Sequence, residues 1–151
     1  MRKVRSSSDN NGPVSASEYE TLAEFRHQLA SFLRRRREAA EAAGLEPQQY
    51  ELLLAIKGAS VTGSPNIKQI AKQLLLQHHS AVELTTRLEK RGLVQRERSP
   101  HDRRSVLVSV TKAGEKVLAE VVQYSLDQLQ VEAPQLLRTL GRLVKHRPKE
   151  K

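Results

Sequence analysis

Residues 65–104 read PNIKQIAKQLLLQHHSAVELTTRLEKRGLVQRERSPHDRR, and the fold turns on this stretch. Asn66 is a good helix N-cap, and Gln69 three places on completes a capping-box pair in which each side chain serves the other's backbone N–H. Ile67, Ile70, Ala71 and Leu74 then recur at i, i+3, i+4 and i+7, one apolar face of a short helix. Leu75-Leu76-Gln77 is a tight connection. A second helical pattern runs from about His78 to Arg91, with Ala81, Leu84, Thr85 and Leu88 on its inner stripe. At about 100° per residue, His79, Val82, Glu83, Thr86 and Lys90 point the other way. Gly92 stands just past Lys90-Arg91, where a helix end favours a left-handed residue and nearby positive charge. Two short helices, the second polar on its outer face, predict a helix-turn-helix.

The residues after Gly92 make the reading specific. Leu93 to Arg98 and Ser105 to Val110 both read as strands, the second alternating cleanly. Between them lies Ser99-Pro100-His101-Asp102-Arg103-Arg104, turn-rich and strongly basic, so the pair predicts a β-hairpin wing. Arg87 to Val94, Asp102-Arg103-Arg104, and Val108-Ser109-Val110-Thr111-Lys112-Ala113-Gly114 together resemble the MarR family of winged-helix transcription regulators. The resemblance covers roughly residues 17–144. It implies a mainly α fold with a small β-hairpin wing, a winged helix-turn-helix dimerising through its N- and C-terminal helices.

Composition agrees. The chain has 151 residues, one domain's worth, and a formal net charge of +9, which favours a polyanionic partner. Aromatics are only 3%, too few for base-stacking platforms, so duplex DNA is a better partner than a single strand. With no cysteine, disulfides, thiolate metal sites and thiol redox switching are excluded. No apolar run approaches a membrane span, and Met1-Arg2-Lys3 is not followed by the apolar segment of a signal peptide. The expected location is cytoplasmic.

Outside the central stretch, residues 1–16, with an Arg2-Lys3-x-Arg5 cluster, predict a disordered basic tail, whether merely solvated or reaching into a minor groove. Ser17 and Glu20 read as a capping box opening a long helix to about Ala43, ended by Gly44, with Leu22, Phe25, Leu29, Phe32 and Leu33 as its stripe. Arg34 to Arg37 wrap around that helix; a solvated face is expected, the alternative being contact with an acidic partner surface or an anionic ligand. Glu46-Pro47 starts the next helix. Its buried face is expected at Tyr50, Leu53, Leu54 and Ala55, and its end at Gly58. A polar loop, Val61 to Ser64, leads into the helix-turn-helix. Thr111 caps a further helix with Val117, Leu118, Val121, Val122, Ser125 and Leu129 inward. Pro134 is expected to interrupt it, a last helix then carrying Leu136, Leu137, Leu140, Leu143 and Val144. Residues 17–45 and 111–145 are thus dimerisation helices, 46–110 the DNA-binding lobe, and 146–151 a frayed tail. One small winged helix has no use for apolar stripes at both ends, and an isologous two-fold dimer would cover them.

A recognition helix enters the major groove with its N-terminal part nearest the base edges. That part offers Gln77, His78, His79, Ser80, Val82 and Glu83, with Thr86 and Lys90 further along the same face. Val82 suits a thymine methyl, Glu83 a cytosine N4, and His79 a guanine N7 or O6. Gln77 and Ser80 are placed for phosphate contacts at the helix start. Glu83 also has a second use, pairing with Arg87 at i+4. His78 and His79 are adjacent on a helix and do not converge on one ion, so no metal site is expected.

In the wing, a lone arginine at a hairpin tip loses rotamer entropy on binding, and a carboxylate two residues earlier can hold its guanidinium by charge-assisted hydrogen bonds. By resemblance, Asp102 is the orienter and Arg104 the minor-groove arginine, with Arg103, Arg98 and Arg96 as phosphate contacts. The family also implies glycine at the turn where this chain has Leu75; if that position needs φ > 0, leucine is strained by about 1–2 kcal/mol.

The resemblance implies a sequence-specific regulator, a repressor, whose affinity for a pseudo-palindromic operator changes when a small, aromatic ligand binds. The ligand cleft would be lined by Phe25, His27 and Tyr50, residues that ordinary packing also explains. A constitutive or architectural DNA-binding protein of the same fold is the alternative. For an enzyme there is no nucleophile–base pairing, no glycine-rich phosphate loop and no metal-ligand spacing, so no cofactor is expected.

Overall fold

The computed structural model describes residues 12–145; of the basic tail expected at residues 1–16, residues 1–11 lie outside them, as does the frayed end at 146–151, while Ser15 and Ala16 already belong to the start of the first helix. Five helices and one hairpin run in the order α1 (Ala16–Ala42), α2 (Pro47–Ala59), α3 (Ile67–Gln73), α4 (His78–Lys90), β1 (Val94–Arg98), β2 (Val106–Val110) and α5 (Lys112–Lys145). They fall into two compact units. The lobe is Arg34–Asp127, and the other unit, among the described residues, is 12–33 with 128–145. The lobe is wider than the 46–110 drawn from the sequence because Ala40 on α1 and Leu118 and Val121 on α5 are core residues. Its centre is built from Leu52, Leu53, Ile56, Ile70, Leu88, Val94 and Val108, all buried.

Local chemistry accounts for most boundaries. Asn66 caps α3 as expected: its side chain accepts from Gln69 N at 2.8 Å, and Gln69 Oε1 accepts from Asn66 N at 2.9 Å. Thr111 caps α5, its hydroxyl accepting from Gly114 N at 3.1 Å. Gly92, at φ 72°, turns the chain out of α4 in the left-handed conformation that glycine adopts without penalty.

Four expectations need correction. The capping box of α1 is Ser15 and Glu18 rather than Ser17 and Glu20: Glu18 N donates to Ser15 Oγ at 3.1 Å and Ser15 N to Glu18 Oε2 at 2.8 Å. Both pairs have the right spacing, and the earlier one lengthens the helix by two hydrogen-bonded residues. In α2, Gly58 does not end the helix, which runs to Ala59 and tightens into a 3₁₀ turn, Ser60–Thr62, in place of a loop. The buried face of α2 is Gln49, Tyr50, Leu52, Leu53, Ala55 and Ile56, while Leu54 is exposed. Finally, Pro134 lies inside α5 without ending it. Proline deletes one N–H and crowds the preceding turn, at a cost of about 3 kcal/mol, but neither effect forbids helical φ.

In the second unit, Phe25 and Phe32 are half-buried, and Thr21 and Thr139 are buried with their hydroxyls donating to the carbonyls of Ser17 and Gln135. Glu24 and Arg142 approach to 3.8 Å. Leu136, Leu140 and Leu143 are half-buried as well, while Leu22, Leu29, Leu33, Leu137 and Val144 are exposed.

Candidate DNA interface

α3 and α4 form the helix-turn-helix. The turn between them is a C-terminal capping motif in which Leu75 N donates to Lys72 O at 3.3 Å and Leu76 N to Ala71 O at 2.9 Å. That geometry requires a left-handed residue, and Leu75 supplies it at φ 56°, with its side chain 92% exposed. The position does demand φ > 0, so leucine carries about 1–2 kcal/mol of strain that no packing offsets.

The inner face of α4 is as the sequence predicts, with Ala81, Leu84, Thr85 and Leu88 buried and the Thr85 hydroxyl donating to Ala81 O at 2.7 Å. Gln77, His78, His79, Glu83 and Lys90 are exposed; Ser80, Val82 and Thr86 are half-buried. Val82 packs partly against the core, and the Thr86 hydroxyl donates to Val82 O at 2.9 Å. Among the described residues Glu83 forms no ion pair with Arg87, which leaves its carboxylate facing solvent. Gln77 is the N-cap of α4 but makes no side-chain cap hydrogen bond. The first N–H groups of the helix are therefore open to an acceptor from outside, with the positive end of the helix dipole behind them.

The wing is an antiparallel pair in register Val94↔Val110, Arg96↔Val108 and Arg98↔Val106. Its root is anchored twice to the lobe, by Thr111 Oγ1 donating to Gly92 O at 2.6 Å and by Val108 N donating to Pro65 O at 2.9 Å. At the tip, Asp102, Arg103 and Arg104 are exposed. Asp102 does organise this turn, but not as expected. Its Oδ1 accepts from the backbone N–H of Arg104 at 3.0 Å, an Asx turn that fixes the main chain from which the guanidinium springs, rather than the guanidinium itself. The Ser99 hydroxyl accepts from His101 N and Asp102 N, closing the loop from the other side. Among the described residues Arg98, Arg103 and Arg104 enter no ion pair.

Arg96 is placed otherwise. It makes a fork with Glu89 on α4, Nη2 to Oε1 at 2.9 Å and Nε to Oε2 at 3.2 Å. The hydrogen bond from Arg96 holds the Glu89 carboxyl below the usual carboxylate range, partial burial working against it. Sequence reasoning gave Glu89 no role. The signal that finds the pair is the period of two along β1: Arg96 shares a face with buried Val94, so its side chain points at the lobe.

The structure brings the recognition helix and the wing to one place. An open groove of about 550 Å³ is lined by Lys68 on α3, His78 and Val82 on α4, and Arg96, Asp102 and Arg104 on the wing. The three residues expected at a ligand cleft are not alike. Tyr50 is 8% exposed, part of the lobe core; Phe25 lines a shallow apolar hollow on α1 with Tyr19, Leu22 and Leu29; His27 is exposed. A hollow in the lobe, about 410 Å³, is lined instead by Arg35, Glu38, Ala42, Ala43, Val121 and Tyr124. Beside it Arg36, expected on a solvated face, is 5% exposed, donates from Nη2 to Ser125 O at 3.2 Å, and lies 5.9 Å from the Tyr124 ring centre. Among the described residues no cluster of three or more His, Cys, Asp or Glu is placed to hold a metal, and no helix is long and apolar enough to cross a membrane.

A helix-turn-helix whose second helix and basic hairpin open on a single groove is the geometry of a winged-helix DNA-binding protein. Relatives agree. The MarR family pattern matches residues 43–105. The chain is 30% identical over 124 residues to the transcriptional activatory protein BadR of Rhodopseudomonas palustris, a match covering 82% of this chain and 71% of BadR. The chain belongs to the MarR family of DNA-binding transcription regulators, which are not enzymes. Its fold is similar to AbsC, a MarR family transcriptional regulator from Streptomyces coelicolor, with TM-score 0.71 at 19% identity over 90% of this chain and 93% of AbsC. It is also similar to NadR, solved in complex with 4-hydroxyphenylacetate, with TM-score 0.65 at 24% identity over 90% and 92% of the two chains.

Proposed function

We propose that the protein is a homodimeric regulator that reads a pseudo-palindromic operator in duplex DNA and whose grip on it changes when a small aromatic ligand binds. The observation that carries the DNA reading is the shared groove: His78 and Val82 from α4 line it together with Asp102 and Arg104 from the wing. In this reading His79, Val82 and Glu83 meet base edges, and Gln77, Ser80 and the uncapped start of α4 meet phosphates, with Thr86 and Lys90 at the groove's margin. Arg104 enters the flanking minor groove, and Arg98 and Arg103 neutralise phosphates. A two-fold dimer with one recognition helix per subunit sets half-sites about 10 bp apart, centre to centre. Repression is the expected sign, and a reporter fused to the flanking promoter measures it; the relative BadR is named an activatory protein. Effector response is reversible binding, because the chain has no thiol to oxidise. The likeness to NadR, solved in complex with 4-hydroxyphenylacetate, supports an aromatic ligand. A constitutive DNA-binding protein of this fold would show no such response.

The test begins with footprinting on the DNA flanking the gene, and continues with titrations on operator and scrambled DNA at several salt concentrations. Arg104→Ala is expected to weaken operator binding by about 1–3 kcal/mol per subunit and to flatten the salt slope by about one cation per subunit. Asp102→Ala is expected to weaken binding too, although it makes the protein more positive, because the Asx turn that presents Arg104 is lost. Tighter operator binding by the Asp102 variant would remove Arg104 from the minor groove.

A further inference from the structure

We propose that Glu89 and Arg96 form a strut that fixes the wing to the recognition helix, so that Arg96 is a positioning residue and the major- and minor-groove contacts are made as one unit. The inference rests on the DNA-reading function proposed above and gives Arg96 a different part in it from that of a phosphate contact. Three observations carry it. First, the bond is a fork, with two nitrogens of one guanidinium on two oxygens of one carboxylate. A single hydrogen bond leaves a hinge, whereas a fork also fixes the plane. Second, the fork joins the last turn of α4 to the middle of β1, two pairs beyond the root at Val94↔Val110 that Thr111 secures. At this level β2 is tied to the start of α3 by Val108 N donating to Pro65 O and by the Asn66↔Leu107 bridge, and the fork ties β1 to α4. The tip itself, residues 99–105, is held by hydrogen bonds within the turn, Ser99 N to Ser105 O at 3.0 Å and Ser105 N to Asp102 O at 3.0 Å. At about 3.3 Å per residue the tip stands roughly 13 Å past Arg96, so a tilt of about 10° at that point displaces Arg104 by about 2 Å. That exceeds the tolerance of about 0.5 Å within which a preorganised binding group is useful. Third, a phosphate approaching Arg96 meets a neutral pair whose carboxylate repels it, so displacement of counterions is not its contribution. The strut is intact at neutral pH. Because the folded-state pKa of Glu89 is depressed, the contribution is full above the ordinary carboxylate range and is lost only as pH falls through the lowered one.

The experiment uses the full-length dimer with Glu89→Gln, Arg96→Gln, both together, and the exchanged pair Glu89→Arg/Arg96→Glu. Operator and scrambled DNA are titrated across salt, and amide exchange of β1 and β2 is measured without DNA. The strut predicts that either single variant lowers the operator-to-scrambled affinity ratio by about ten-fold, with the salt slope unchanged. The double variant is then no worse than either single one, and the exchanged pair recovers most of the loss, which mere loss of folding stability does not reproduce. Exchange at Arg98 and Val106 rises while that of α4 stays as it was. The proposal is overturned if Arg96→Gln reduces the salt slope and weakens scrambled DNA while Glu89→Gln tightens both, the signature of a phosphate contact. It is overturned equally if neither variant moves the ratio or the exchange. A wild-type protein without operator preference would sink the DNA-reading function instead, and the exchange measurement would still decide the strut.

Discussion

Leucines at helical spacing meet opposite fates in the two units of this molecule. In the lobe, Leu52, Leu53, Ile56, Ile70 and Leu88 are closed off from water almost completely. In the terminal unit, Leu22 and Leu137 carry the same i, i+3, i+4 signature and remain 56% and 67% exposed. The pattern identifies an apolar face but does not say whose surface covers it. A lobe that covers Leu52, Leu53 and Leu88 with its own residues has a core complete within a single chain. The terminal segments leave a stripe uncovered, and in the homodimer proposed above a second copy of the same stripe would cover it.

That contrast breaks most visibly by truncation. Removing everything after Glu132 takes away Leu136, Leu137, Leu140, Leu143 and Val144. Dimer mass in light scattering and tight operator binding should then both disappear, while the lobe keeps its helical signal. A monomer mass for the intact chain would leave the stripe without its second copy. A smaller effect sharpens the comparison. Leu53→Ala should cost about 2–5 kcal/mol in denaturant unfolding, whatever the protein concentration, because its cavity opens inside one subunit. Leu137→Ala should shift a melting midpoint that itself depends on concentration, because what it weakens is association. The smallest expected change has the opposite sign. Leu75→Gly relieves a left-handed leucine at φ 56° and should stabilise the lobe by about 1 kcal/mol in the same unfolding measurement. A loss of stability there would mean that the exposed side chain has a partner.

Much of the lobe was legible because its signals are local. The Asn66–Gln69 box, the 3.6-residue stripe of α4 and Gly92 each operate within a few residues, and each was found where expected. β2 forms where expected but is half-buried on both faces, and Asp102 holds the backbone of Arg104 rather than its guanidinium. What escaped is decided by choices between near-equal local options or by distant neighbours. Ser15 and Ser17 both precede an acid by three places, so only the folded chain tells which one caps α1. Gly58 and Pro134 are poor helix residues that tertiary context retains within α2 and α5. Arg36 is charged and sits in an arginine run, yet its burial depends on Ser125 and Tyr124, nearly ninety positions away. At the candidate interface, the basic tip was plain from composition, but the fate of Arg96 required the face of β1 on which it lies and the carboxylate across from it. Charge counted along a sequence overstates the charge available to DNA by each such internal pair.

Gly114 carries a consequence of a different kind. A methyl group built on it would stand 2.1 Å from the carbonyl oxygen of Leu93 and 2.7 Å from a Val110 methyl. The first turn of α5 is thus seated on the foot of the hairpin with no room for a side chain. In a saturation library scored for growth or display, this position should be intolerant of every replacement, alanine included. Gly12, Gly58 and Gly141, where an added Cβ meets nothing, should accept most of them. Such a map, read without any structure, would pick out the one glycine at which three segments of the lobe are fitted together.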